Sequence, residues 1–219
     1  MADDVLGGSA CYFSTAASFF TDVNLVAVIG DDFPQQHIDF LQSRNIDLIG
    51  LQKSQGETFR WKGRYDYDLS EAHTLETHLN VFESFQPVLP ENYRDADYVF
   101  LANIDPELQL EVLQQIKKPK LVACDTMNFW IEGKRAELIK TLSKVDILVI
   151  NEAEVRQLAE EPNLLKAAAI VRGFGPEILV VKQGEYGVLM FGEGSTFSAP
   201  AYPLEEVFDP TGAGAVSYT

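Results

Sequence analysis

The chain has 219 residues and a formal net charge of −16, an acidic balance that argues against nucleic acid and anionic membranes as partners. It leaves room for a phosphorylated small molecule, because local backbone donors can bind phosphate inside an acidic protein. The length fits one α/β domain with a small appendage, and 46% hydrophobic with 23% charged residues excludes a disordered chain.

In chain order, Gly8 to Phe20 reads as a helix of small and aromatic residues after a glycine pair, and Asn24 to Ile29 as a short buried strand ending at Gly30. An amphipathic helix over Phe33 to Arg44 and a strand over Ile46 to Leu51 follow. From about 52 to 84 the rhythm changes. Thr58 to Asp68 alternates aromatic and charged residues and Ala72 to Phe82 partly alternates, which predicts antiparallel strands in a small separate sheet. Two readings stay open for it, an edge hairpin or a lid over a ligand. Trp61, Tyr65 and Tyr67 share one face if Phe59–Asp68 is a strand, and either cover a substrate or form a lid-to-lid homodimer contact.

Strand and helix then alternate again. A strand over Tyr98 to Leu101 precedes Asp105-Pro106-Glu107, an N-cap carboxylate, a proline at the first helical position and an acid in the first turn. Strands over Lys120 to Cys124, Val145 to Ile150 and Ile178 to Val181 lead into Asp125, Asn151 and Lys182. This order predicts an α/β protein with a mainly parallel sheet covered on both faces. Phe129 and Trp130 are expected in the core or in helix packing. Cys11 and Cys124 belong to no CxxC pair and read as buried free thiols of a reducing cytoplasm. No apolar run is long enough to span a membrane, and Met1-Ala2-Asp3-Asp4 lacks the basic start of a signal peptide. His73 and His78 have no ligand partner nearby in sequence, which argues against zinc.

Asp209-Pro210-Thr211-Gly212-Ala213-Gly214-Ala215 carries the chemistry. Glycines free backbone N–H groups, and at the start of a helix those donors form an anion hole suited to a transferring phosphoryl group. A flexible Gly-rich end is the plain alternative. The segment resembles the D-T-x-G-A-G-D signature of the PfkB family of ribokinase-like sugar and nucleoside kinases. Pro210 stands for the signature threonine and Ala215 for the catalytic aspartate. Gly7-Gly8 resembles the family's N-terminal glycine pair, Gly30-Asp31-Asp32 its G-x-D segment, Asn151 to Glu154 its N-x-x-E motif, and Lys182 to Gly187 its K/T-x-G-x-x-G segment.

The resemblance covers nearly the whole of 1–219. It implies a three-layer α/β/α ribokinase-like domain with a β-lid. It also implies ATP and Mg²⁺ as cofactors, with a monovalent cation an open option, and a sugar or nucleoside as substrate. Gly7, Gly8 and Asp125 would contact that substrate. Asn151, Glu154, Lys182, Gly184, Gly187 and Asp209 would serve nucleotide and phosphate, with Glu154 reaching the metal through water. Gly212, Ala213 and Gly214 would form the anion hole. Glu154 has a plainer reading as a first-turn helix acid, Asp125 as a helix cap and Lys182 as a solvated strand end.

Ala215 cannot accept a proton, so the chain is expected to be impaired as a kinase. The resemblance implies a strand before Gly7 and helices after Thr219 that the chain is expected to lack. Tyr12 stands where the family often has asparagine. A non-catalytic sugar or nucleotide sensor is the second expectation. A Rossmann oxidoreductase is set aside, because Gly30-Asp31-Asp32 lacks the further glycines of that fingerprint.

Overall fold

The computed structural model of the protein describes residues 5–65, 72–205 and Gly212. The chain divides into two compact units, 1–90 with 210–212, and 91–209 with 213–219.

In the first unit, helix α1 (Ser9–Ala17) leads to strand β1 (Val23–Ile29), helix α2 (Gln35–Ser43) and strand β2 (Ile46–Lys53). β1 and β2 pair in parallel from Val23↔Ile46 to Ile29↔Lys53, with α2 between them in the chain, as a parallel pair requires. Leu25, Leu41 and Ile46 form its small core, flanked by Ala10, Val23, Ala27 and Leu48. The helix read from Phe33 begins at Gln35, because Pro34 holds extended backbone at the N-cap.

Strands β3 (Arg60–Tyr65) and β4 (Ala72–His78) form the antiparallel hairpin that the alternation predicts. Its register slips between Lys62 and Gly63, so the strict alternation that would group Trp61, Tyr65 and Tyr67 is broken early. The Trp61 indole lies across Gly63, where a Cβ would come within 2.1 Å of Cη2, and its Nε1 donates to Thr74 Oγ1 at 3.0 Å. The Tyr65 side chain and Tyr67 lie outside the described residues.

The root of this hairpin is fastened to the end of β1. A Cβ on Gly30 would sit 2.3 Å from the Gly56 carbonyl oxygen, so only glycine lets the two chain segments touch. Gly30 N donates to Thr58 Oγ1 (3.0 Å), and both the N–H and the hydroxyl of Thr58 donate to Asp32 Oδ1 at 2.7 Å. Arg60 Nη2 reaches Asp32 Oδ2 at 2.9 Å. The Thr58 hydroxyl, followed by its backbone N–H and the Arg60 guanidinium, holds the Asp32 carboxyl down at about 2.

The second unit is a six-stranded sheet in the order β10-β9-β8-β7-β6-β5. Its strands are β5 (Tyr98–Leu101), β6 (Leu121–Asp125), β7 (Ile147–Asn151), β8 (Ile178–Lys182), β9 (Val188–Gly192) and β10 (Ser195–Ala199). β5 to β8 run parallel, and β9 and β10 return antiparallel. Helices α3 (Pro106–Gln115), α4 (Asn128–Gly133), α5 (Arg135–Leu142), α6 (Glu152–Ala159) and α7 (Leu164–Arg172) fill the connections. α3 starts as its sequence predicts: Asp105 caps the N–H of Glu107 and Pro106 opens the helix.

Leu148, Ile150, Leu179, Val181, Val155, Leu158 and Val171 are completely buried between strands and helices. Each such side chain contributes about 1.5–3 kcal/mol relative to exposure. The sequence reading has no strands over 188–199. Their alternation is weak and β10 is largely exposed, so it carries little apolar signal. Phe129 is a correction. It is 61% exposed rather than in the core, and packs edge-on against Trp130, whose Nε1 donates to Asn103 Oδ1 at 3.0 Å. Among the described residues, no helix is long and apolar enough to cross a membrane and no group of His, Cys, Asp and Glu is set to hold a metal by itself.

Candidate active site

The parallel strands of the second unit end in register. Asp125 pairs with Val149 across β6–β7, and Asn151 pairs with Lys182 across β7–β8. This brings three polar strand-end residues to the carboxyl edge of one sheet, the place where open α/β sheets bind ligands. Asp125 Oδ1 lies 3.8 Å from Lys182 Nζ, with both side chains at most one-fifth exposed. Burial pushes the Asp125 carboxyl up to about 6, against the downward pull of Lys182 and of the Thr126 N–H. Thr126 N donates to Asp125 Oδ1 at 2.9 Å. The neighbouring Thr126 hydroxyl is buried without a hydrogen-bond partner among the described residues.

The Asn-x-x-Glu motif is a reciprocal cap on α6. Asn151 Oδ1 accepts from the Glu154 N–H and Glu154 Oε2 accepts from the Asn151 N–H, both at 2.8 Å. The plain reading of Glu154 as a first-turn helix acid is thus present in the structure: one oxygen caps the helix, and the other takes no hydrogen bond among the described residues. Burial raises the Glu154 carboxyl, with Asn151 and Lys182 pulling it down and Asp125 pushing it further up. Three ionisable groups thus sense one another across two strands. Burial raises both carboxyls above their ordinary range, a pattern of functional clefts more than of surface ion pairs.

After Lys182 the chain turns through Gln183, whose Nε2 donates to Glu152 Oε2 at 2.7 Å. Gly184 has φ of 58° with open space around its missing Cβ. Gly187 has φ of 102°, and a Cβ there would meet the Ala199 carbonyl at 2.1 Å. Gly184 thus leaves its backbone approachable, whereas Gly187 is demanded by β10. In the first unit, Gly8 (φ 91°) is the N-cap of α1 and Gly7 lies beside Tyr12. Gly212 (φ 84°) lies against the Tyr12 ring. Asp209, Ala213, Gly214 and Ala215 lie outside the described residues.

Gln109 escapes the sequence reading. It is a buried amide on α3 whose Nε2 donates to the carbonyls of Leu101 (3.4 Å), Ala102 (3.0 Å) and Asp125 (3.1 Å). It ties the ends of β5 and β6 together beneath Asp125. Its only sequence signal is an amide on an otherwise inward helix face. The Gly30-Asp31-Asp32 motif is also clarified: its contacts are with the hairpin root described above.

A profile of pfkB family carbohydrate kinases matches residues 4–214. The chain belongs to this family. It is 33% identical over 214 residues to a protein named cytidine kinase from Thermococcus kodakarensis, covering 95% of this chain and 76% of that one. Its fold is that of an Escherichia coli protein assigned as a ribokinase II and solved with ATP and Mg²⁺ (TM-score 0.79, 19% identity, 98% of this chain and 76% of that one). An adenosine kinase of Sinorhizobium meliloti shares it as well (TM-score 0.78, 18% identity, 95% of this chain and 68% of that one). The PfkB member is thus a ribokinase-like, three-layer α/β protein with the fold of sugar and nucleoside kinases.

Proposed function

We propose that this PfkB member binds ATP and a nucleoside, with a simple sugar as the broader class, and that Ala215 leaves it slow in phosphoryl transfer. The observation that carries the binding reading is the buried Asp125–Lys182 pair beside Asn151 and Glu154 at the carboxyl edge of the sheet. The preference for a nucleoside is supported by the 33% identity to a protein named cytidine kinase.

In this reading Gly7, Gly8 and Asp125 orient the acceptor. Lys182 and the backbone of Gly184 receive phosphate oxygens, and Asp209 precedes the Gly212-Ala213-Gly214 donors that face the developing charge. The acceptor hydroxyl oxygen attacks the γ-phosphorus, the bond to the bridging β–γ oxygen breaks, and ADP carries away the electron pair. The hydroxyl proton needs an acceptor, and Ala215 offers none. The donor set fits magnesium held through water, because the uncapped oxygen of Glu154 and the Asn151 amide are hard ligands. When bound, magnesium supplies charge neutralisation on the phosphates. Gly187 serves the turn geometry of the same segment, and the β3–β4 hairpin is the lid and a homodimer contact in this reading.

The test is ATP-dependent phosphorylation of cytidine, uridine, adenosine and ribose by the chain and by Ala215→Asp. Restoring the carboxylate is expected to raise kcat by about 10²–10⁴-fold with KM little changed. Equal rates for the two forms would remove position 215 from the chemistry. The non-catalytic sensor is favoured by Ala215 itself, and it gains if both forms bind ligand tightly and neither turns over.

A further inference from the structure

The β5–β6 ladder stops one step short of the candidate site. Its register runs from Tyr98↔Leu121 to Leu101↔Cys124, and one further step would pair Ala102 with Asp125. Gln109, in the first turn of α3, takes that place. Its Nε2 donates to the carbonyls of Ala102 (3.0 Å) and Asp125 (3.1 Å), so its amide hydrogens span the pair that the strands do not form. On the other side of the same amide, the Cys124 thiol is directed to Oε1 at 3.6 Å. The Asp125 backbone is thereby held on both flanks, by the β7 ladder through Val149 and by a side chain where a strand partner would be.

The helix turn that carries the amide is itself pinned. The Gln109 N–H donates to the Asp105 carbonyl at 3.1 Å, Lys134 Nζ donates to Asp105 Oδ2 at 2.7 Å, and the Thr141 hydroxyl of α5 donates to the Pro106 carbonyl at 2.7 Å. Apart from Tyr93 and Cys124, the buried polar side chains described in the second unit are Gln109, Asp125, Thr126 and Thr141. They form one run from α5 through α3 to the end of β6, in a core that is otherwise apolar. Packing alone calls for no amide there, and a buried amide destabilises unless its donors are used. The run ends at Asp125, whose carboxyl is buried beside Lys182 of β8 and senses Glu154 of α6.

We infer that Gln109 is a positioning residue for acceptor binding: it fixes the end of β6 so that the Asp125 carboxylate is presented to the acceptor. The inference rests on the proposed role of Asp125 and adds a residue that acts only through it. Without the amide, the Asp125 carbonyl loses its donor from α3 and the strand end moves to satisfy it. Displacing a binding group by about 1 Å is enough to cost up to about 10²-fold. The Asp125 carboxyl then gains solvent as well, so its burial eases together with the loss of acceptor affinity.

The experiment is a double-mutant cycle in the full chain: the parent, Gln109→Met, Asp125→Asn and the two together. Methionine keeps the length of the side chain without its donors. Thermal melts at about pH 4 and about pH 8 read the ligand-free arm. Asp125→Asn should raise the melting temperature at the higher pH and not at the lower, and Gln109→Met should cut that pH-dependent gain to about half or less. Calorimetric titration with cytidine reads the ligand arm. Gln109→Met should weaken cytidine by about 10–100-fold in the parent and by no more than about twofold in the Asp125→Asn background. Equal losses in both backgrounds, or an Asp125→Asn gain that Gln109→Met leaves intact, overturn the inference and leave Gln109 a core brace. If Asp125→Asn removes measurable cytidine binding, Asp125 is already tied to the acceptor and the melts decide. A Gln109→Met protein that does not fold is replaced by Gln109→Asn, which withdraws the amide by one carbon, under the same criteria. If the parent binds none of cytidine, uridine, adenosine and ribose, the acceptor-site reading falls and takes this inference with it. Cytidine binding with additive losses removes Gln109 alone.

Discussion

Two carboxylates close β-strands or follow them by a few residues, and the protein treats them oppositely. Asp32, at the root of the hairpin, takes hydrogen bonds from the Thr58 hydroxyl, the Thr58 N–H and Arg60, and its carboxyl is pulled down to about 2. Asp125, at the edge of the main sheet, is buried with one backbone donor and a lysine 3.8 Å away, and its carboxyl is pushed up to about 6. The first is a saturated fastening that needs nothing further. The second is a charge held at a disadvantage, which a cation or a hydrogen-bonding ligand can relieve. Both look alike in sequence, as an acid after an apolar run, and only the count of donors around each tells a fastening from a site.

The glycines of the two regions offer the largest break. Gly30→Ala places a methyl 2.3 Å from the Gly56 carbonyl, so backbone must move. A loss of about 3 kcal/mol in chemical denaturation is expected. Gly184→Ala meets nothing within 4 Å and pays only for its left-handed φ, about 1 kcal/mol. It should affect nucleotide affinity more than stability. Equal losses in the two variants would mean that the hairpin root is not held by close approach.

The acids sharpen the contrast through pH. Asp125 has a folded value near 6 against 3.8 ordinarily, so the fold prefers it protonated. Its unfavourable contribution is absent below about pH 4 and grows as pH rises through 6. Asp125→Asn, which keeps an acceptor for the Thr126 N–H, should therefore be more stable than the parent at pH 7–8 by up to about 3 kcal/mol. That gain should vanish near pH 4. Asp32 behaves in reverse: its contribution is complete above about pH 4 and is lost as pH falls toward 2. Asp32→Asn should thus be less stable than the parent at neutral pH, with the gap closing in acid. Thermal melts across pH 3–8 check both slopes, and slopes of the same sign would collapse the distinction.

The smallest expected stability change comes from Glu154→Gln. Glutamine completes the same reciprocal cap, so the melting temperature should barely move, a change within about 0.5 kcal/mol. Affinity for an ATP analogue with Mg²⁺ should drop by about 10–100-fold if the uncapped oxygen serves the metal. An unchanged affinity would leave Glu154 as a cap and nothing more.

The parallel strands were readable because each is an apolar run ending at a polar residue, and three of those ends (Asp125, Asn151 and Lys182) meet at one edge. The start of α3 was readable because Asp105-Pro106 is local chemistry. The return strands β9 and β10 were not, since exposed antiparallel strands bury too little to enforce an apolar pattern. Phe129 was misplaced because an aromatic beside another aromatic reads as core, whereas Trp130 alone takes the sheltered position and Phe129 packs on its outer edge. The brace by Gln109 was beyond reach, because its partners are carbonyls on two strands and main-chain atoms leave no mark on sequence. The motif at Gly30-Asp31-Asp32 was recognised but not its contacts, which depend on where the hairpin root returns.

Cys124 lies just before Asp125, wholly buried, with its thiol directed to Gln109 Oε1 and the Asp125 carbonyl and burial holding it far from ionisation. A thiol reagent in solution can reach it only when β6 parts from its neighbours, and only a thiolate reacts. Its rate of alkylation is therefore a clock for the opening of the strand that carries the candidate site. Cys11, on α1, departs from the expected buried pair: it is only partly buried, and although burial raises its thiol to about 11, a reagent reaches it without the strand opening that Cys124 requires. The two thiols thus answer different questions: Cys124 reports on the opening of the sheet that carries Asp125, and Cys11 on local access at α1.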